Sequence, residues 1–164
     1  MRSPKINRRG LLRNGIAAAA IAVPGALARP ASAKSRKIKK AIYRKGEKPS
    51  PEAIFSPGIQ FGDLLFVSGA GAHDPTTHKV VEGPIQNQVK QCLENIKTVL
   101  EGAGSSLDRV LKCTVFLTDI SKWGEMNVVY HQYFPTDPPA RSTVAVKDLP
   151  GDSPVEIECI AYVG

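Results

Sequence analysis

The segment IQNQVKQCLENIKTVLEGA, residues 85–103, gives the clearest structural signal in this chain of 164 residues. Its apolar residues recur every three or four positions, and polar or charged residues fill the positions between them. The apolar set consists of Ile85, Val89, Cys92, Leu93, Ile96, Leu100 and Ala103. This spacing predicts an amphipathic helix that packs one side against a core. Gly102 and Gly104 are expected to end it.

A strand and a second helix are predicted after this segment. Residues 110–117, VLKCTVFL, are rich in residues that favour strands. Asp119 or Ser121 can cap a helix over residues 121–134, which Pro135 would end. The predicted apolar stripe of this helix is Trp123, Met126, Tyr130, Tyr133 and Phe134.

Shorter strands are predicted on both sides of this region. Three precede it, at residues 41–43, 59–61 and 64–69, with Gly62-Asp63 as a hairpin turn. Two follow it, at residues 142–146 and 155–163. The order β-β-β-α-β-α-β-β predicts an α+β fold in which two helices cover one face of a mixed sheet. Several strands are apolar on both sides, so the other face is expected to be buried against further copies of the chain.

The first 33 residues differ from the rest of the chain. Arg8-Arg9 is followed by two leucines, an alanine-rich apolar run over residues 16–28, and Ala31-Ser32-Ala33. This pattern predicts a cleavable twin-arginine signal peptide and a periplasmic or secreted protein that meets the membrane only during export. An uncleaved anchor is the less favoured alternative, because the apolar run is shorter than the roughly 20 residues that span a bilayer. A polar tail, 34–41, and one domain, 42–164, are expected to follow.

The net positive charge of the chain is concentrated in these first 33 residues. The formal net charge is +7, yet six of the 22 basic residues and none of the 15 acidic residues lie within residues 1–33. The remainder is therefore nearly neutral. This distribution argues against nucleic acid as a partner.

The cysteines and histidines give no sign of a metal site. Cys92, Cys113 and Cys159 form an odd set without a close pair, and no histidine lies near a cysteine at a ligand spacing. The cysteines are interpreted as small buried hydrophobic residues, and their redox state is left open. His73, His78 and His131 are interpreted as surface or rim histidines.

The segment Pro139-Ala140-Arg141-Ser142 places an arginine at the start of a strand, just after a proline pair. A guanidinium group in a fixed position suits a small carboxylate ligand. Glu156 and Glu158 lie two residues apart on the last strand and therefore on one face. Two interpretations stay open: Arg141 binds an acidic substrate while a glutamate handles water, or Arg141 pairs with a glutamate structurally. The small residues of 68–72 would let a ligand approach the main chain closely.

Together these segments resemble the Rid family of enamine/imine deaminases, also called the YjgF/UK114 family. The resemblance covers residues 42–163. The motifs that carry it are Leu65-Phe66-Val67-Ser68-Gly69, Asp74-Pro75, Glu94-Asn95-Ile96, Val115-Phe116-Leu117-Thr118-Asp119, Met126-Asn127-Val128-Val129-Tyr130, Pro139-Ala140-Arg141-Ser142 and Val155-Glu156-Ile157-Glu158-Cys159-Ile160-Ala161.

This resemblance implies a chorismate-mutase-like (YjgF-like) fold and a homotrimer with active sites between subunits. It implies hydrolysis of 2-imino and 2-enamino acids, such as 2-aminoacrylate, to 2-keto acids and ammonia, without a metal or an organic cofactor. A non-catalytic trimer of the same fold that binds a small carboxylate is the alternative.

The resemblance also implies roles for individual residues. Arg141 would bind the substrate carboxylate, and Glu156 would orient or activate water. The implied substrate-binding positions are Phe55, Ser68, Gly69, Asn127 and Thr143. Phe55 stands where many members have tyrosine, so the ring is kept and the hydroxyl is absent. Thr143 stands where many have cysteine, a change of little consequence if only its backbone is used.

Overall fold

The structure is a computed structural model that describes residues 38–164. The predicted signal peptide and the first residues of the polar tail lie outside this range. The elements are β1 (Lys39–Ile42), β2 (Gly58–Phe61), β3 (Leu64–Gly71), α1 (Ile85–Gly102), β4 (Val110–Leu117), α2 (Trp123–Tyr133), β5 (Ala140–Ala145) and β6 (Val155–Tyr162). The predicted order of strands and helices is confirmed. None of the helices in the described range has the length and apolar character needed to cross a membrane.

The strands form one mixed sheet in the order β1-β2-β3-β6-β4-β5. Neighbouring strands are antiparallel except β4 and β5, which are parallel and are connected through α2. Gly62 has a φ of 62°, a conformation that favours glycine, in the two-residue turn that sets the pairing of β2 with β3. The α+β class predicted from the sequence is confirmed.

The first strand begins earlier than the sequence predicted. Strand β1 starts at Lys39, so residues 39–41 belong to the sheet and not to the polar tail. Lys39 and Lys40 are exposed, because β1 lies at the edge of the sheet. An edge strand with solvent on several sides carries little apolar pattern, which explains why Lys39 and Lys40 were not predicted as part of a strand.

The core lies between the sheet and the two helices. Helix α1 packs on β3, β6 and α2, and its predicted apolar face is confirmed: Ile85, Val89, Cys92, Leu93, Ile96 and Leu100 are buried. In α2 the buried residues are Met126, Val129 and Tyr130. The prediction that Trp123 joins this stripe was wrong, because its side chain is 49% exposed. Periodicity gives the direction of a side chain but not whether another element lies beside it.

The face of the sheet that points away from the helices is apolar. The strand pairings place eight large apolar side chains on it: Ile59, Phe61, Leu64, Phe66, Phe116, Val144, Ile160 and Tyr162. Five of them are more than 40% exposed. The two-sided apolar pattern of the strands predicted such a face, and its burial against further copies of the chain stays a prediction.

The three cysteines behave as small hydrophobic residues, as predicted. All are buried free thiols, and burial raises the pKa of each thiol. Cys113 and Cys159 lie directly opposite each other on β4 and β6.

Candidate active site

A cavity of about 570 Å³ lies beside the last residues of β3. Strand β2 pairs with β3 only as far as Val67, so the Gly69-Ala70-Gly71 stretch lies beyond the end of β2. These three small residues line the cavity, together with Phe55, His73 and Glu156 among others. The short β2 and the small side chains therefore leave space where a ligand can reach main-chain groups.

Glu156 is positioned by β6 and packs over Gly69. A Cβ atom added at Gly69 would lie 2.7 Å from the Cδ atom of Glu156. The φ of Gly69 is outside the left-handed region, so its backbone does not require glycine. The absent side chain is what leaves room for the Glu156 carboxylate.

The environment of Glu156 suits proton exchange. The side chain is half-buried, and this burial is the main cause that raises the pKa of its carboxyl group above the usual value. The nearby Glu158 raises the pKa further, whereas His73 lowers it. A carboxylate whose pKa is raised is a better proton acceptor than an exposed glutamate.

Arg141 lies on β5, an edge strand of the sheet. Its guanidinium carbon lies 4.4 Å from the centre of the Tyr130 ring, and Nη2 donates a hydrogen bond of 2.7 Å to Oδ1 of Asn127. In the described part of the chain it makes no ion pair with a carboxylate. Its orientation is thus fixed by α2, while several of its N–H donors stay available for a ligand.

Arg141 and Glu156 lie on opposite faces of the sheet. Arg141 is paired with Cys113 on β4, and Glu156 is paired with Phe116 on the same strand. Cys113 and Phe116 are three positions apart, so their side chains point to opposite sides. The structural pairing of Arg141 with Glu156 or Glu158 that the sequence left open is therefore excluded within one chain.

The other predicted residues fall into the same two groups. Phe55 and Gly69 line the cavity with Glu156, and Phe55 is 61% exposed. Ser68 adjoins this group, but its hydroxyl donates a hydrogen bond of 2.8 Å to the carbonyl of Ser56, which ties down the loop before β2. Asn127 and Thr143 lie with Arg141.

Thr143 has an unusual hydroxyl group. It lies two residues after Arg141 and faces the same side of β5. Its Oγ1 atom is buried and has no hydrogen-bond partner among the described residues. A buried hydroxyl group without a hydrogen-bond partner is energetically costly.

Two residues of the cavity region, His73 and Asn95, were not among the site residues predicted from the sequence. His73 lines the cavity and was interpreted as a surface or rim histidine. Asn95 of α1 is 8% exposed, and its Nδ2 donates hydrogen bonds to the carbonyls of Gly71 and His73 at 3.0 and 2.9 Å. The available signal was position: Asn95 follows Cys92 by three residues and precedes Val99 by four, which places a polar side chain on the buried face.

The described residues offer no set of ligands for a metal ion. Within residues 38–164, no group of three histidine, cysteine, aspartate or glutamate side chains is arranged to hold a metal ion.

Comparison with known proteins shows which family this chain belongs to. A family model described as Endoribonuclease L-PSP matches residues 45–163. A RutC family protein of Pyrococcus horikoshii is 44% identical over 125 residues, which cover 76% of this chain and 98% of that protein.

Solved structures give the same result. YyfA of Yersinia pestis, described as a conserved Rid family protein, has a TM-score of 0.71 and 41% identity, covering 77% of this chain and all of that one. E. coli TdcF, solved with bound serine, has a TM-score of 0.69 and 34% identity, covering 76% of this chain and 99% of that one. The predicted YjgF-like fold is thereby confirmed.

Proposed function

This chain belongs to the Rid (YjgF/UK114) family, and from that premise we propose that it hydrolyses reactive 2-imino and 2-enamino acids to 2-keto acids and ammonia. The observation that carries the proposal is a pair of complementary groups. One is a guanidinium without a carboxylate partner in the described chain, Arg141, and the other is a half-buried carboxylate with a raised pKa, Glu156.

The two groups would act in one cleft formed by neighbouring subunits. Because they lie on opposite faces of the sheet, a cleft that uses both takes Arg141 from one subunit and Glu156 from another. We therefore propose a homotrimer with shared sites. The apolar sheet face supports it, since a second chain would cover this face.

The reaction depends more on the position of the substrate than on strongly activating catalytic groups. The carboxylate of the substrate binds Arg141, which fixes the imine carbon relative to Glu156. Water adds to the carbon of the protonated imine, and its proton passes to Glu156. Glu156 then returns this proton to the amino nitrogen. The C–N bond breaks as the hydroxyl oxygen forms the carbonyl, and the hydroxyl proton leaves with ammonia as ammonium.

The relatives support a small amino-acid-like ligand. TdcF was solved with serine bound, and serine has the carboxylate and the adjacent nitrogen that a 2-imino acid also has. The alternative is a trimer of the same fold that binds a small carboxylate without turning it over. Phe55 favours this alternative, because it lacks the hydroxyl that many members have at this position.

The test is turnover of imines generated in situ by an amino-acid oxidase or a dehydratase. The purified protein is expected to accelerate release of the keto acid. The Arg141→Ala variant is expected to lower kcat/KM by about 10- to 100-fold, because a charge-assisted hydrogen-bonded contact contributes about 1.5–3 kcal/mol. Lys147→Ala, which removes an exposed basic residue beyond β5, serves as the control.

The outcome separates the two functions. If the wild-type protein does not exceed the uncatalysed rate, the deaminase proposal fails for these substrates. Binding of a keto acid that is lost in Arg141→Ala would then support the carboxylate-binding trimer.

We also propose that the protein is exported by the twin-arginine route. The basis is the sequence of residues 1–33 alone, since these residues lie outside the described range. The expected result is a mature N-terminus at Lys34, measured by intact mass in the periplasmic or secreted fraction. Replacement of Arg8 and Arg9 by lysine should retain the precursor in the cytoplasm, and an unprocessed protein in every fraction would contradict the proposal.

A further inference from the structure

We propose that His73 is a positioning residue of this site: its imidazole, held in one orientation beside Glu156, keeps Glu156 in the carboxylate form that accepts a proton from water. The inference rests on the proposed function and concerns a residue outside the set that the family resemblance supplied. It is carried by the way the ring is seated, by the contacts that hold its backbone, and by its place next to Glu156.

The imidazole ring occupies space that two glycines leave free. A Cβ atom added at Gly71 would lie 2.8 Å from Nδ1 of His73, and one added at Gly151 would lie 2.6 Å from Nε2. Gly151 has a φ of 66°, so its backbone already favours glycine. Gly71 has no such requirement, since its φ is outside the left-handed region. The side chain missing at Gly71 therefore matches the need to seat the ring.

The backbone of His73 is also fixed from two sides. The buried Asn95 donates hydrogen bonds to the carbonyl of His73 and to that of Gly71. His73 further pairs with Val80 across an isolated antiparallel bridge. These contacts fix the backbone that carries the ring, which a group that must keep one geometry requires.

The contacts of the ring determine its tautomer. Nε2 lies 2.9 Å from the carbonyl oxygen of Gly151, which can only accept, so Nε2 carries a hydrogen. Nδ1 is then the ring nitrogen that lies over Gly71. Gly71 is the cross-strand partner of Glu156, so the ring and the carboxylate occupy neighbouring positions on one face of the sheet.

The charges around Glu156 give His73 a distinct role. Burial and Glu158 both disfavour the ionised form of Glu156, and His73 favours it. Several other charged groups line the cavity: Arg44, Lys45, Glu47, Asp74 and His78. Arg44 is paired with Glu47, and Lys45 with Glu101. The Asp74 carboxylate accepts the N–H groups of Thr76 and Thr77, which lower the pKa of Asp74.

The role follows from the first step of the reaction. Glu156 has to be ionised before it can take the proton of the attacking water. The His73 imidazole lowers the pKa of the Glu156 carboxyl group and thus extends its working range to lower pH. Without the imidazole, Glu156 is protonated at a higher pH and loses its function there.

The test compares His73→Gln with the wild-type assembly. Glutamine can still donate to the Gly151 carbonyl but carries no charge. The acidic limb of the kcat/KM–pH profile is expected to move to higher pH. Gly71→Ala should move the limb in the same direction, because the added methyl group displaces the ring. His131→Gln, on the exposed side of α2, is the control and should leave the profile unchanged.

A titration independent of turnover completes the test. The carboxyl carbon of Glu156 is followed by NMR in the folded wild-type and His73→Gln proteins, with thermal melting as the check on folding. We expect Glu156 to titrate at a higher pH in the variant. An identical titration in both proteins would overturn the inference. A shifted titration in a wild-type protein that hydrolyses no imine would refute the proposed function and leave the His73–Glu156 pair intact.

Discussion

Replacing Glu156 by glutamine is expected to lower kcat/KM for imine hydrolysis by about 10²–10⁴-fold, the usual contribution of a positioned general base. Glutamine keeps the shape that packs over Gly69 but cannot accept a proton from water. KM should change little, because the substrate carboxylate binds Arg141. The measurement is steady-state release of the keto acid, followed with a coupled dehydrogenase.

Glu158→Gln is the matched control for this prediction. Glu158 lies two residues along the same strand and on the same face, but it is exposed and does not line the cavity. It should keep most of the activity. A large loss in Glu158→Gln with little loss in Glu156→Gln would reverse the assignment, which the spacing of the two glutamates alone could not decide.

The Glu156→Gln substitution should not destabilise the fold at neutral pH. The pKa of Glu156 is raised in the folded protein, mainly by burial. A raised pKa means that the protonated form is the one the fold favours, so its stabilising contribution is present at low pH and is lost as the pH rises through the folded pKa. Glutamine stays neutral, so the variant should melt at an equal or higher temperature than the wild type at neutral pH, with the gain disappearing in acid.

Local patterns predicted most of the fold. The spacing of apolar residues located α1 from Ile85 onward, and the Gly62-Asp63 turn placed the β2–β3 hairpin, because both signals depend on residues close together in the sequence. Such patterns also placed Glu156 and Glu158 on one face. The ends of β1 and the exposure of Trp123 escaped prediction, since they depend on which elements lie alongside.

The arrangement of the site was much harder to predict from the sequence. Whether Arg141 and Glu156 share a face depends on how β5 and β6 are each registered against β4, which no local pattern encodes. His73 was overlooked for a similar reason. Its seat is formed by Gly71, two residues away, and by Gly151, which is distant in sequence and is brought close only by the fold.

Mixing two impaired variants, Arg141→Ala and Glu156→Gln, is expected to restore activity. In a trimer whose sites each take Arg141 from one subunit and Glu156 from the next, an Arg141→Ala chain still supplies Glu156, and a Glu156→Gln chain still supplies Arg141. A random equimolar mixture should therefore regain about a quarter of the wild-type sites. The two chains are unfolded and refolded together, or co-expressed with different tags, and imine hydrolysis is compared with that of each variant refolded alone.

Wild-type chains mixed with chains that carry both substitutions provide the control. If sites are shared, each intact site needs two neighbouring wild-type chains, and about a quarter of the sites survive in an equimolar mixture; if each chain forms its own site, about half survive. A site formed within one chain would give no recovery of activity in the first mixture. In the second mixture it would leave about half of the sites intact. That pair of results would contradict the shared cleft, even though Arg141 and Glu156 lie on opposite faces of the sheet in every subunit.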